Sequence, residues 1–150
     1  MKLAEALSLR KDLEKRISGL KDRLENVVRV QEDDEPAENP KELMTELNSC
    51  LVQLELLIFN INLTNMKVVD EDGKSMTKML AERDVLKKRI DILRDTFRQA
   101  SYRDDHFTRA RMVTMIDVKS LRKQLDKYSQ QYRQLDNTIQ RLNFCYDLVE

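Results

Sequence analysis

Apolar residues near the start of the chain recur at intervals of three and four, the spacing that places side chains on one face of an α-helix. Lys, Arg, Asp and Glu fill the positions between them. The seam consists of Leu13, Ile17, Leu20, Leu24 and Val27, and Leu3, Ala6 and Leu7 extend it upstream. This heptad seam predicts a first helix over about residues 2–30 that packs against another helix.

A second helix is predicted over about residues 40–64 from a start signal and the broad apolar stripe that follows it. Asn39 is a suitable N-cap, Pro40 a suitable first helical residue and Glu42 a suitable partner in a capping box. The stripe contains Leu43, Leu47, Cys50 or Leu51, Leu54, Leu57 or Ile58, and Ile61. Because this stripe is broader than the first seam, we expect the second helix to be the more buried of the two.

Two further helices are predicted over about residues 77–100 and 117–148. The third helix carries Met79, Leu86, Ile90, Leu93 and Phe97 at helical spacing. Asp117 is a suitable cap for the fourth helix, which has the most regular pattern in the chain. Its apolar positions are Val118, Leu121, Leu125, Tyr128, Tyr132, Leu135, Ile139, Leu142 and Tyr146. A helix of about 30 residues spans roughly 45 Å.

The connections between these helices add a small β element to the prediction. Asp72-Gly73 lies between short extended pieces and is typical of a β-hairpin turn. The partly β-branched run Met112–Ile116 could pair with Val68-Val69 in a short sheet. Its methionines could also line an apolar pocket or pack in the core, and of these two we favour packing in the core. We therefore predict one mainly α domain over residues 1–150. Its four long helices form antiparallel, coiled-coil-like hairpins or a bundle, with a small β-hairpin or short sheet from the connections.

The composition agrees with long helices and narrows the protein class. Charged residues make up 36% of the chain and aromatic residues 5%, with two glycines and no tryptophan, which disfavours all-β and disulfide-scaffold folds. The apolar runs are shorter than the ~20 residues of a transmembrane helix, and the charged N-terminal segment lacks the apolar core of a signal peptide. Cys50 and Cys145 have no repeated spacing. We therefore expect a cytoplasmic protein with reduced thiols and no transmembrane segment.

His106 is the only histidine and lies beside Asp104 and Asp105, so it is the candidate for a general base or a metal ligand. A metal site needs further convergent ligands, but the sequence has no second histidine and no metal-binding motif. The isolated Gly19 and Gly73 cannot build a phosphate-binding loop. We predict a solvated connection, no catalytic residue, no metal and no cofactor, and hence a protein that is not an enzyme. A metal or catalytic role for His106 is the alternative.

Charge is unevenly distributed although 27 basic residues balance 27 acidic residues. Residues 32–46 hold seven acidic residues against Lys41, whereas residues 98–123 hold seven basic residues against three aspartates. Acidic and basic connections that meet would fix the register of an interface. The alternative is nucleic-acid binding by the basic stretch, with Tyr102 and Phe107 available for stacking. The possible interaction surface comprises Arg98, Arg103, His106, Arg109, Arg111, Met112 and Met115.

Four segments of the chain carry a resemblance to a known family. They are MKLAEALSLRKDLEKRISGLKDRLENVVRVQEDDEPAENPKEL, LLIFNINLTN, MLAERD and NFCYDL. In this order they resemble small bacterial proteins that bear the name septicolysin. The resemblance implies a predominantly α-helical fold without an established activity, and the name implies a haemolysin. The narrow seams, flanked by charges of both signs, instead favour a soluble oligomer over a membrane-active protein.

The patterns together predict a bacterial helical assembly or interaction protein. We expect a homo-oligomer, a dimer or a larger ring, whose heptad seams include contacts between subunits, and other protein partners are compatible with this prediction. The first alternative is a nucleic-acid-associated protein that uses the stretch 98–123. A haemolysin-like membrane-active protein is the less favoured one.

Overall fold

The computed structural model describes residues 1–101 and 112–149. Four helices follow one another in these residues: α1 (Leu3–Val27), α2 (Pro40–Lys67), α3 (Met76–Ala100) and α4 (Val118–Cys145). α1 packs with α2, and α3 packs with α4, in a mainly α architecture that is 76% helical. The predicted fold class is confirmed. Compared with the predicted bounds, α1 ends three residues earlier and α2 continues three residues further.

Side-chain caps start three of the helices, and two of them, Asn39 and Asp117, are the caps that the sequence predicts. The side chain of Asn39 accepts a hydrogen bond from the Lys41 backbone N–H at 3.0 Å. At the start of α3, the Ser75 hydroxyl accepts from the Lys78 N–H at 3.3 Å. The Asp117 carboxylate accepts from the Lys119 N–H at 3.1 Å. Each cap satisfies a backbone donor that has no partner within its own helix.

The chain divides into two compact units, which we describe separately. Unit 1 contains Met1–Val68 and Leu142–Glu150, and therefore α1, α2 and the last turn of α4. Unit 2 contains Val69–Arg141, and therefore α3 and the rest of α4. That the whole chain folds as one domain stays a prediction.

The seam between α1 and α2 forms the core of unit 1. Buried side chains follow α1 at the predicted heptad positions and meet a buried face of α2. They are Leu3, Ala6, Leu13, Leu20 and Val27 on α1, and Leu43, Cys50, Leu57 and Ile61 on α2. At the edge of the seam, the Arg16 guanidinium binds the Glu46 carboxylate at 2.6 Å, which joins the two helices.

Arg23 of α1 and Glu38, just before α2, form a bidentate ion pair in unit 1. The Arg23 Nε–H donates to one Glu38 carboxylate oxygen at 3.0 Å, and an Nη–H donates to the other. These hydrogen bonds favour the charged carboxylate and hold the pKa of Glu38 below its ordinary value of 4.5. The stabilisation from this pair is therefore present above the unfolded-state pKa and is lost as the pH falls through the folded-state pKa.

We expect an NMR titration of the side-chain carboxyl carbons to give Glu38 a pKa below 4.5, its ordinary value. Arg23→Gln removes both charge-assisted hydrogen bonds and should bring the pKa of Glu38 back towards that value. Arg10→Gln is the matched control, because Arg10 pairs with Glu14 on α1 and not with Glu38. A Glu38 pKa that stays unchanged in Arg23→Gln would contradict the assignment.

A closing segment, residues 146–149, ties the two ends of the described chain together within unit 1. The Leu3 N–H donates to the Tyr146 carbonyl at 2.9 Å, and the Leu148 N–H donates to the Met1 carbonyl at 2.8 Å. The Val149 N–H donates to the hydroxyl of Thr64, a residue that is buried near the end of α2, at 2.9 Å. The Thr64 hydroxyl in turn donates to the Asn60 carbonyl at 2.7 Å. The closing segment is thus attached both to the chain start and to α2.

The helices α3 and α4 make up most of unit 2 and are joined by polar contacts beside a thin apolar seam. Arg83 binds Asp136 at 3.1 Å. The Arg89 guanidinium lies 4.7 Å from the centre of the Tyr128 ring, within the range of a cation–π contact. Buried side chains of the unit include Met76, Met79, Ile90, Leu121 and Ile139. Several other seam positions, such as Leu86, Leu93, Leu125 and Leu135, are only half-buried.

The connection between α2 and α3 turns tightly but does not form the predicted hairpin. The Asp70 carboxylate accepts hydrogen bonds from the Asp72 and Lys74 N–H groups at 3.0 and 2.8 Å, and Gly73 adopts a φ of 80°, which favours glycine. Val69 and Ser75 make one isolated antiparallel bridge. α2 ends at Lys67 and α3 starts at Met76, and none of the residues between them belongs to a strand. The prediction of a β-hairpin or short sheet is therefore wrong for the described residues.

Candidate interaction surfaces

The predicted interaction surface is described only in part. Arg103, His106, Arg109 and Arg111 lie outside the described residues, as do Tyr102, Asp104, Asp105 and Phe107. Arg98 lies near the end of α3 and forms an exposed ion pair with Asp95 at 3.3 Å. Met112 and Met115 belong to the described segment before α4, and Met115 is 91% exposed. That these seven residues act as one surface stays a prediction.

The segment Met112–Ile116 does not pack in the core, contrary to our expectation. Met112, Val113, Met115 and Ile116 are all exposed, and the segment has no regular secondary structure. The Thr114 hydroxyl donates to the Ala100 carbonyl at 3.0 Å, which attaches the segment to the end of α3. Because the segment is neither a helix nor a strand, its apolar side chains do not share one face. In the described part of the chain they are exposed to solvent.

A regular apolar surface lies on α2, on the face opposite its buried seam. We call Val52, Leu56, Phe59, Leu63 and Met66 the outer stripe; they follow one another at steps of four, three, four and three. Leu63 is half-buried, and the other four side chains are between 61% and 70% exposed. α1 and α2 each have five buried residues, so the expectation that α2 is the more buried helix is not confirmed.

The sequence contained the signal for this outer stripe, but two seams overlap along the same helix. One heptad seam, which includes Leu43, Cys50 and Leu57, faces α1. A second seam starts at Val52, two residues after Cys50 of the first seam, and faces away from α1. Together they make α2 apolar on two opposite faces, and the predicted stripe contains residues of the first seam but none of the second.

Among the described residues, α2 is the one helix long and apolar enough to cross a membrane by length and composition. Its most apolar window has a mean hydropathy of 1.2, and 22% of that window is buried. Either a bilayer or a protein partner could cover these apolar side chains. α2 therefore has more apolar surface than its contact with α1 buries.

The two units carry opposite charge, although the whole chain is neutral. Unit 1 has ten basic and fifteen acidic residues, a net charge of −5, whereas unit 2 has seventeen basic and twelve acidic residues, a net charge of +5.

Unit 2 contains an open groove of about 830 Å³ between α3 and α4, which is lined by Lys87, Arg94, Lys127 and Arg133. Asp91 and Asp126 also line this groove. Its mixed charge points to no particular ligand.

The described residues contain no cluster of three or more His, Cys, Asp and Glu side chains that could hold a metal ion. Cys50 is buried and Cys145 is exposed, and both are free thiols.

Comparison with known proteins finds matches that extend over nearly the whole chain. Residues 10–148 match the DUF6847 family, which is described as a family of unknown function. The chain belongs to the DUF6847 family. A crystal structure described as that of "a functionally unknown conserved protein from Corynebacterium diphtheriae" shares 38% sequence identity with it. That similarity covers 99% of both chains with a TM-score of 0.93. No match was found among curated proteins.

Membership of DUF6847 agrees with the coarse prediction of a helical protein whose function is not established. The resemblance to proteins named septicolysin is not confirmed, because neither the DUF6847 description nor the description of the similar crystal structure contains that name. Neither description mentions a reaction, a ligand or a partner. A proposal about function must therefore start from the surfaces of the DUF6847 helices themselves.

Proposed function

We propose that this protein is a helical interaction protein that assembles with further copies of itself, rather than an enzyme. The observation that carries the proposal is the balance of apolar side chains. Among the described residues, twenty large hydrophobic side chains are exposed, whereas sixteen hydrophobic residues are buried. Contiguous exposed apolar surface is characteristic of sites that bind another protein or a membrane.

The arrangement of the exposed residues supports a helical partner. On α2 they follow a heptad spacing, which is the spacing of residues that pack between helices. In unit 2 the half-buried seam of α3 and α4 also leaves apolar surface at its edges, including exposed Val85 and Ile92 on α3. In an assembly, helices of another copy would cover these surfaces and bury apolar side chains that are exposed in the single chain.

We place this assembly in the cytoplasm. Cys50 and Cys145 are both free thiols, and such thiols persist in a reducing compartment. The proposal requires neither a cofactor nor a metal ion, since assembly through apolar helix faces uses only side-chain packing.

The test is the molar mass of the protein in solution, measured by light scattering during size exclusion over a wide concentration range. We expect a mass of at least twice the 17.8 kDa of one chain. Repeating the measurement at low and high salt separates the two possible forces: charged contacts weaken with salt, whereas apolar seams do not. A single-chain mass at every concentration and salt would contradict the proposed function.

A further inference from the structure

The outer stripe of α2 has the spacing of a helix-packing seam and is exposed to solvent. We propose that it is the contact between two copies of this chain, in which α2 of one copy packs against α2 of the other about a two-fold axis. This inference rests on the proposed function and specifies the surface through which the copies meet.

The period of the outer stripe selects a helix as its partner. Steps of four, three, four and three keep five apolar side chains on one seam, from Val52 to Met66. At about 1.5 Å per residue, this seam is roughly 21 Å long, which corresponds to about four turns. Side chains at this spacing insert between those of a second helix that has the same spacing. A second α2 provides such a helix without any other change.

The low charge of this face also favours a second copy. Between Glu46 and Lys67, α2 contains one charged residue, Glu55. Charged residues are depleted at the centre of protein interfaces, and partners that differ from each other are commonly selected by complementary charges. The outer stripe has no such charge pattern. It is complementary to itself because both copies present an uncharged apolar seam.

The polar residues beside the outer stripe have the chemistry that a two-fold axis requires. Helical spacing places Asn48 and Asn62 along one edge of the stripe, and Gln53 and Asn60 near the other. A side-chain amide both donates and accepts hydrogen bonds, so it can pair with an identical amide. Lysine only donates and an ionised carboxylate only accepts, so neither can pair with its own copy. In a symmetric contact the same patch faces itself, which makes amides suitable edge residues.

A bilayer fits this face less well than a second helix does. Helices that lie in a membrane interface place Lys and Arg beside their apolar face, where these cations bind anionic headgroups. The edges of the outer stripe instead carry amides and the carboxylate of Glu55, with Lys67 in the last turn as their one cation. The opposite face of α2 is already buried at Cys50, Leu57 and Ile61. The side chains around the outer stripe therefore favour protein over lipid.

The test compares charge insertions inside and outside the outer stripe. Leu56→Asp and Phe59→Asp place a carboxylate in the proposed contact, and Leu9→Asp is the control at an exposed apolar position of α1. We expect wild type and Leu9→Asp to be dimeric by light scattering. Each outer-stripe variant should have a dissociation constant at least about a hundredfold higher, with an unchanged far-UV circular dichroism spectrum.

Three outcomes would overturn the inference, and they separate it from the proposed function. If the outer-stripe variants keep the wild-type oligomer mass, this surface is not the contact, while the proposed function stands. If wild type is monomeric at all concentrations, both proposals fall. If wild type is monomeric and floats with vesicles of phosphatidylcholine and phosphatidylglycerol, but Leu56→Asp does not, the stripe binds lipid instead of a second copy.

A second measurement does not depend on a destabilising charge. The chain has no tryptophan, so Phe59→Trp introduces a single indole at the middle of the outer stripe. Its emission should shift to shorter wavelength as the concentration rises through the dissociation range, because the ring leaves water at the contact. An emission maximum that stays at the exposed-indole position across that range would overturn the inference.

Discussion

Leu20→Ala is expected to lower the free energy of unfolding by about 2–5 kcal/mol, the usual cost of removing a large aliphatic side chain from a core. Leu20 lies in the middle of the α1 seam and is 1% exposed. Its replacement leaves a cavity between α1 and α2, and the neighbouring seam residues can close it only in part. The measurement is urea-induced unfolding followed by circular dichroism.

Leu9→Ala is the matched control for this substitution, because it makes the same chemical change on the same helix at an exposed position. Substitutions at exposed positions usually change stability by about 0.5 kcal/mol or less. If Leu20→Ala were no more destabilising than Leu9→Ala, the α1–α2 seam would not be the core of unit 1. The protein concentration must be the same for all variants, because an oligomer adds a concentration-dependent contribution to stability.

Removing residues 146–150 is expected to lower the free energy of unfolding by about 3 kcal/mol, at about 1 kcal/mol for each of the three hydrogen bonds that attach this segment to the chain start and to α2. These bonds join Leu3 to Tyr146, Leu148 to Met1, and Val149 to Thr64. The half-buried side chains of Leu148 and Val149 are lost as well. Urea unfolding of the shortened and full chains measures the difference.

Two substitutions make this second prediction specific. Thr64→Val keeps the volume at the buried site but leaves the Val149 N–H without its acceptor, so it should cost about 1–3 kcal/mol. Asp147→Asn removes only the exposed ion pair with Lys2, which is 3.0 Å long, and exposed pairs contribute about 1 kcal/mol or less. A truncation that costs no more than Asp147→Asn would show that the closing segment does not stabilise the fold.

Local patterns were sufficient to predict the four helices of this chain. Of the predicted α1 seam, Leu13, Leu20 and Val27 are buried, Ile17 and Leu24 are half-buried and Leu7 is exposed. Asn39 and Asp117 cap α2 and α4 as expected. Both signals act within a few residues: a cap satisfies donors of the first turn, and a seam repeats with the helical period. For that reason the sequence identifies them without knowledge of the rest of the fold.

Contacts between distant parts of the chain were not predictable in this way. Tyr146 continues the apolar period of α4, yet the helix ends at Cys145 and the Tyr146 carbonyl accepts from Leu3, at the other end of the chain. The hairpin prediction failed because α2 and α3 extend into the residues that its strands needed. A periodic pattern shows that a helix face is apolar, but it does not show whether the same chain covers that face. On α2, one apolar face is buried against α1 and the other is exposed.

The predicted interaction surface combined residues that the sequence places close together, without knowledge of what covers them. Arg98 and Met115 are exposed as such a surface requires, but four of its seven members lie outside the described residues. The outer stripe of α2 was not predicted because the apolar period of this helix was assigned to one face, through Leu43, Cys50 and Leu57. A search for apolar surface must therefore consider each helix face separately.

The opposite net charges of the two units have a consequence for handling the protein in solution. Near its isoelectric point, pI ≈ 6.6, the molecule has no net charge to keep copies apart, while each copy still presents a unit at −5 and a unit at +5. In dilute buffers at this pH we therefore expect nonspecific attraction between unlike units and low solubility. Salt at 0.1 M screens charges beyond about 10 Å, so we expect the measured solubility to rise when moderate salt is added.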